Sequence, residues 1–494
     1  MKYMTIHEQV EHRITALIDT GVLKNGQKIP SLRMLSEQLN VSINTVREAY
    51  ERLENRHYIE AVPQSGYYVR SISAPRRGRK DLEPRELDPR EINFCQVYSA
   101  MKRAESSAEL VQLGAAVIDR RFWPQEKIAR SYREAIQRFP EEVFDYMMPP
   151  GYRPLREQIE LLGLHSGLQI SPDDLIITNG CQEAVCLSLM ATCKAGDTVA
   201  VESPFFFNFL SLLDRLGVTP IEIPSVPGEG INLDVLQFVI EHNPVKAVFV
   251  ISNFSNPTGA VMPPARKKRL LELLQNVDIP LIEDDVYGDL AFRSRPDTCK
   301  AYDTDGRVLL CSSFAKTISP GLRLGWVIPG RYYDEVVKLK TVLNVGSPSL
   351  DQVAVTIFLQ KGGYERHLRR IRSGLKETVE ATRRALLEYL PPGTTVTEPD
   401  GGFLLWVTLP PQHDAMDLYY RALDENILIA PGQLFSRKEG FSNCMRINAA
   451  NWNLGIQRAI ARLGEMCAEK EGALRPPRDS LPTAGGRPPR SRRR

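Results

Sequence analysis

The chain has 494 residues, of which 43% are apolar and 25% charged, and a formal net charge of +3. That length suggests two to four folded units, and the composition is that of ordinary globular proteins with sizeable cores. No run of roughly 18 apolar residues is present, so no spanning helix is expected, and the opening segment lacks the long apolar run of a signal peptide.

Eight cysteines are scattered without a C-x-x-C pair. Cys181, Cys186 and Cys193 match no zinc spacing, so no metal is expected and buried free thiols in a reducing cytoplasm fit better.

A first unit is expected over residues 1–73. Ile6, Val10, Ile14, Leu17 and Ile18 recur at helical spacing, and Gly21 with the Lys24-Asn25-Gly26-Gln27 turn stops that helix. Ser31 reads as the N-cap of a second helix that turns Leu32, Leu35 and Leu39 inward. Ser42 reads as the cap of a third, holding Val46, Ala49, Tyr50 and Leu53. Two β stretches, 58–62 and 67–69, are joined by Pro63-Gln64-Ser65-Gly66. Three helices followed by a hairpin is the order of a winged helix.

Residues 74–91, rich in charge and proline, predict an extended linker. From 92 to 472 the pattern changes to β runs (175–178, 199–202, 247–251, 281–284, 308–311, 324–328) with helices between them, such as 184–194, 234–242 and 265–275. This alternation predicts an α/β unit with a mostly parallel sheet covered on both faces. Apolar runs at 403–409, 428–430 and 445–448 suggest a smaller C-terminal α+β subdomain. Residues 473–494 predict a disordered basic tail, with seven arginines against one acid, Asp479. That tail could add affinity for phosphate backbones or be a solvated end.

Within the first unit, Ser42, Asn44, Thr45 and Arg47 sit at the N-terminal end of the third helix, where a recognition helix meets base edges. Arginine and asparagine can make bidentate contacts to guanine and adenine. Arg33, Arg52 and the wing residues Gln64, Ser65 and Gly66 are candidates for backbone contacts. The same residues would also serve as a solvated helix face, and the unit is close to charge-neutral. The string from Ile29 to Glu54, I-P-S-x-R-x-L-x-x-x-L-x-V-S-x-N-T-V-R-x-A-Y-x-x-L-E, with the Q-S-G-Y-Y-V wing, closely resembles the GntR-type winged helix. The resemblance implies a double-stranded DNA operator as partner.

A second pattern lies downstream: Ser313-Phe314-Ala315-Lys316, then Pro320-Gly321-Leu322-Arg323. Ser313 and Arg323 could both bind phosphate, with Pro320-Gly321 as the tight turn between them. Asn179-Gly180-Cys181-Gln182 follows a β run and opens a helix, which suits a phosphate cradle. Asn256 falls at a strand's C-terminal end, where α/β folds bind ligands. Glu283-Asp284-Asp285-Val286-Tyr287 ends the next strand and reads equally as a helix N-cap. Pyridoxal phosphate needs a lysine, a carboxylate at the ring nitrogen, phosphate donors, a stacking ring and a donor to its 3′ oxygen.

Over roughly 112–448 the chain resembles the fold-type I aminotransferases. The resemblance implies that Lys316 is the Schiff-base lysine and Asp284 the pyridine-nitrogen partner. Tyr287 and Asn256 would hold the 3′ oxygen, and Gly180, Cys181 and Gln182 would form the phosphate turn, completed by Ser313 and Arg323. Phe206 falls where the family usually stacks a tyrosine, and Ala315 replaces a frequent serine. Arg446 matches the arginine that grips a substrate α-carboxylate.

The two halves in this order resemble the MocR-type branch of GntR regulators over nearly the full chain. That implies a cytoplasmic homodimer that binds pyridoxal 5′-phosphate and regulates transcription, reading half-sites about 34–36 Å apart or a multiple of that. Its effector would be an amino acid, amine or B6 vitamer sensed through aldimine chemistry. The alternative is a working aminotransferase that carries a DNA-binding domain, because Lys316, Asp284 and Arg446 are all in place.

Overall fold

The computed structural model describes residues 5–19, 23, 26–39, 41–56, 58–63, 65–70, 110–438 and 440–474. The chain divides into two compact units, 1–92 and 93–494. The linker expected at 74–91, the wing residue Gln64 and the expected helix stop at Gly21 lie outside the described residues. The last helix, Leu454–Leu474, ends inside the span expected as tail, and 475–494 also lie outside.

In the first unit, α1 (Ile6–Asp19), α2 (Leu32–Leu39) and α3 (Ile43–Asn55) precede an antiparallel hairpin of β1 (Ile59–Val62) and β2 (Gly66–Val69). Val46, Ala49, Tyr50 and Leu53, at i, i+3, i+4 and i+7 of α3, are fully buried against Val10, Ile14, Leu35 and Ile59. Ser42 has extended backbone and accepts the Thr45 N–H at 3.1 Å, so α3 starts where its cap predicts. The Tyr50 hydroxyl donates to the Pro30 carbonyl at 2.7 Å, and its ring meets Tyr67 edge-on at 5.0 Å. These contacts join helix, turn and wing.

The second unit is built on an eight-stranded sheet. Its strands are β3 (Ile176–Thr178), β4 (Thr198–Ser203), β5 (Thr219–Val226), β6 (Gly230–Ile231), β7 (Val245–Val250), β8 (Leu281–Asp284), β9 (Val308–Ser313) and β10 (Gly325–Ile328). The spatial order is β3-β10-β9-β8-β7-β4-β5-β6, parallel from β9 to β5, with β10 antiparallel to both neighbours and β6 antiparallel to β5. Strands in the parallel middle are buried on both faces, which is why they read as nearly continuous apolar runs. β5 and β6 were not among the expected strands. Pro220 and Pro224 make β5 read as loop, but for most of its length β5 is an edge, where proline is tolerated.

Helices relevant below are α4 (Gln125–Arg138), α5 (Cys181–Thr192), α6 (Phe207–Arg215), α7 (Tyr333–Asn344) and α8 (Gly363–Tyr389). A four-stranded antiparallel sheet forms the C-terminal subdomain: β11 (Thr395–Val396), β12 (Leu404–Thr408), β13 (Ala430–Pro431) and β14 (Cys444–Asn448), in the order β11-β12-β14-β13. Val111–Gln112 pairs with Ile427–Leu428, so the strap that follows is laid against this subdomain. Gly114 lets it in, since a Cβ there would lie 2.7 Å from the Ile429 backbone. Among the described residues no helix is long and apolar enough to cross a membrane.

Candidate functional site

One cavity of about 600 Å³ lies where the carboxyl ends of β8 and β9, the start of α5 and the strap at Ala116–Val117 meet. Lys316, Asp284, Tyr287, Asn256, Phe206 and Arg446 line it, as do Cys181, Gln182, Ser313 and Arg323. Residues spread over 266 positions are thus gathered at one place.

One end is built for an anion. Gly180 precedes α5 with φ +82°, and no side chain caps the helix, so its first N–H groups are available. Arg323, in left-handed backbone (φ 49°), donates from Nη2 to the Asn179 carbonyl at 3.1 Å. A Cβ on Gly180 would lie 2.7 Å from that nitrogen. Gly325 is equally constrained, because a Cβ there would meet the Gly180 carbonyl carbon at 2.6 Å. Ser313 caps the short turn that carries Lys316, its Oγ accepting the Ala315 N–H at 3.4 Å.

The turn has a support that sequence reading missed. Glu183 accepts the Asn179 N–H at 2.5 Å and the Lys340 ammonium at 2.8 Å, with the Asn344 amide also on this carboxylate. Lys340 is almost completely buried. Its partner lies 157 positions away, and no local pattern signals that pairing.

The other end holds an acid. Asp284 ends β8 and is buried, and one carboxylate oxygen accepts the Cys181 thiol at 3.4 Å and the Val286 N–H at 3.1 Å. Burial pushes its pKa up to about 7, and those two donors pull it back only in part. Burial, with Asp284 beside it, drives the Cys181 thiol well above its usual range, so it stays an S–H donor.

Between the ends, Asn256 donates to the Tyr287 hydroxyl at 3.3 Å and accepts from Arg446 Nη1 at 2.9 Å. Arg446, on β14, is 1% exposed, also donates to the Gly114 carbonyl, and lies 5.8 Å from the Phe206 ring centroid. Lys316 Nζ donates to the Ala116 carbonyl at 2.6 Å and stands 5.8 Å from the Tyr287 ring centroid. Ala116 belongs to the strap and had no signal in the sequence. The donor set therefore fits a group that is anionic at one end, basic and aromatic at the other, and reactive toward an amine.

In the first unit, Ser42, Asn44 and Arg47 are exposed and Thr45 is half-buried at the start of α3. Arg47 donates to Asn44 at 3.2 Å, and the Ser42 and Thr45 hydroxyls are 2.8 Å apart. Arg33 pairs with Glu37 at 3.5 Å and Arg52 with Glu48 at 3.3 Å, both exposed. On the wing, Ser65 Oγ lies 2.6 Å from the Tyr68 hydroxyl. Gly66 has φ +112°, and a Cβ there would meet Lys28 at 3.2 Å. Lys28 thus adjoins the wing, a cation that sequence reading did not select.

Residues 6–69 match the family described as bacterial regulatory proteins, gntR family, and residues 124–463 match aminotransferase class I and II. The HTH-type transcriptional regulator YjiR of Escherichia coli is 39% identical over 94% of this chain and 98% of its own. The chain belongs to the MocR-type regulators. This MocR-type chain joins a GntR helix-turn-helix domain to an aminotransferase-like domain, and it is a DNA-binding transcription regulator.

Among solved structures, Pyrococcus horikoshii kynurenine aminotransferase, in complex with PMP, is 30% identical with a TM-score of 0.70, covering 76% of this chain and 94% of that one. The α-aminoadipate aminotransferase LysN of Thermus thermophilus, complexed with N-(5′-phosphopyridoxyl)-L-leucine, is 25% identical with a TM-score of 0.69, covering 78% and 100%. The larger unit therefore has the fold of type I aminotransferases, and the family with these neighbours indicates pyridoxal 5′-phosphate as cofactor.

Proposed function

We propose that this MocR-type regulator senses an amino acid, amine or B6 vitamer in the cavity at Lys316 and answers by changing its hold on a DNA operator. The observation that carries the reading is the convergence of an amine, a buried acid, the arginines Arg323 and Arg446 and an uncapped helix start on one cavity of about 600 Å³. Bound there, pyridoxal phosphate supplies an electrophilic aldehyde carbon and an electron-withdrawing ring.

The chain's own groups divide the remaining work. Arg323, Ser313 and the N–H groups of Gly180, Cys181 and Gln182 would take the phosphate. Asp284 would keep a proton on the ring nitrogen, and that positive charge would in turn favour its ionised form. Asn256 and Tyr287, already bonded to each other, would hold the 3′ oxygen. Phe206 would cover a ring face without offering a hydroxyl. Lys316 would give up its bond to the Ala116 carbonyl for the cofactor, and a competing effector amine would in turn displace it. Arg446 would select for a carboxylate.

On DNA, Arg47 and Asn44 would read base edges, while Ser42, Thr45, Arg33, Ser65, Gly66 and Gln64 would set position on the backbone. The domain scheme we propose is a winged helix at 1–73, a linker at 74–91 and the sensor at 92–472, in the cytoplasm, with the basic tail at 473–494. Homodimerisation is supported by exposed apolar side chains on two adjoining segments: Phe144 and Tyr146 are 78% and 82% exposed, and Val342 is 84% exposed. The segments adjoin because Ser349 donates to the Asp145 carbonyl at 2.8 Å, and a Cβ on Gly346 would strike the Met147 carbonyl. Exposed apolar side chains on adjoining segments are what a protomer–protomer interface would cover. An effector acts only by binding two states of the dimer unequally.

The test is an absorbance titration of the purified protein with amino acids and B6 vitamers, paired with operator binding. A visible band that one compound alters, together with operator affinity, supports sensing. A protein that stays colourless with added cofactor overturns it. The completeness of the Lys316, Asp284 and Arg446 set also allows turnover, which release of a keto acid in the same titration would reveal.

A further inference from the structure

A second cavity, of about 670 Å³, lies where the Arg120–Phe122 turn and the start of α4 meet α8. Arg120, Arg121, Lys127, Arg366 and Arg370 line it, against a single acid, Glu126. None of these five cations forms an ion pair among the described residues. Cations elsewhere do find partners: Arg462 alone bonds Glu425, Glu465 and Glu469. Like charges held around a concavity repel one another and focus a positive potential into it.

The arrangement is fixed by packing. Phe122 rests on Gly374 of α8, where a Cβ would lie 2.5 Å from its ring, and its carbonyl accepts Arg370 Nη2 at 3.0 Å. The turn carrying Arg120 and Arg121 is therefore clamped to the helix carrying Arg366 and Arg370. At the lip, α4 starts after Pro124 without a side-chain cap, leaving its first N–H groups open to an acceptor. Trp123 adds an aromatic wall, 5.8 Å from the Arg120 guanidinium, and its buried indole N–H has no acceptor among the described residues.

We propose that this cavity is a second ligand site, taking a small organic phosphate with two or more negative charges, and that it is coupled to the Lys316 turn. Its volume falls within the roughly 300–1,000 Å³ of small-molecule pockets, and an aromatic wall beside arginines suits a compact polyanion with a planar group. A duplex backbone, by contrast, presents phosphates along a rod and asks for an open stripe. The coupling path is short. His367 lines the cavity and donates from Nε2 to the Thr317 carbonyl at 2.7 Å, the residue after Lys316. Tyr364, one turn before it on α8, lies 3.0 Å from Thr317 Oγ1. The site stands on its own geometry and does not depend on the sensing reading.

Calorimetric titration of the full-length, cofactor-loaded protein with inorganic pyrophosphate at fixed ionic strength tests this. Saturable binding of one pyrophosphate per protomer is expected, weakened tenfold or more in Arg121→Gln/Arg366→Gln and unchanged in Arg462→Gln. If the first pair fails to fold, Arg120→Gln/Lys127→Gln serves the same purpose. Pyrophosphate should also move the cofactor's visible band; a saturated site with an unmoved band overturns the coupling. Absence of saturable heat, or equal affinity in the variants, overturns the site. Displacement of pyrophosphate by duplex DNA lacking an operator would reassign the cavity to DNA backbone and equally overturn the small-ligand proposal.

Discussion

Lys316 and Asp284 differ in what their environments have done to them. Lys316 Nζ donates to the Ala116 carbonyl at 2.6 Å, and removing the amine leaves that acceptor beside a cavity large enough for water. Lys316→Ala is therefore expected to stay folded while losing the borohydride-reducible linkage to the cofactor and its visible absorbance; an unchanged spectrum would remove Lys316 from its role. Asp284 carries a stability cost. Its pKa, about 7 in the fold against 3.8 ordinarily, means the folded state retains a proton that the unfolded chain releases. The carboxyl is neutral in both states below pH 3.8, and the penalty grows from there to pH 7, reaching on the order of 4 kcal/mol above it. In cofactor-free protein, Asp284→Asn should thus gain melting temperature relative to the parent as pH rises from 4 to 8. A difference between the two that is flat with pH would show that the carboxyl is not held protonated.

Two elements turn this chemistry into position. The turn before α5 requires both left-handed backbone and an absent side chain at Gly180, since a Cβ would collide with the Arg323 guanidinium. Gly180→Ala should lower cofactor affinity tenfold or more, measured by equilibrium dialysis, with the secondary structure retained; unaltered affinity would place the phosphate elsewhere. At the start of α3, Ser42 satisfies the Thr45 N–H. Ser42→Ala is expected to cost about 1 kcal/mol in the melting of the isolated GntR unit, the typical value of a lost cap. An undiminished melting temperature would mean that hairpin packing on Tyr50 holds that helix without its cap. Both elements were legible locally, from a glycine turn after a β run and from a serine before a helical repeat.

For the molecule as a whole, the exposed apolar pair of segments asks for a partner. Phe144→Glu with Val342→Glu should shift the sedimentation of the full-length protein from dimer to monomer and weaken operator binding, because two half-sites then bind independently. A dimer that survives both charges would move the interface elsewhere. What the sequence by itself determined was whatever depends on neighbours a few positions apart: the buried face of α3, the apolar runs of β7, β8 and β9, the caps, and the motif carrying Ser313, Lys316 and Arg323. Periodicity and capping are local physics, so they survive in one dimension. The tertiary structure alone decided the rest. It placed β5 at an edge despite its prolines, supported the turn at Gly180 with Glu183 and the distant Lys340, laid Ala116 against Lys316, and assembled five cations, without ion pairs among the described residues, from a short turn, α4 and α8 into a second cavity. Those arrangements come from chain crossings that bring residues 150 to 250 positions apart into contact, and no window along the chain contains both partners.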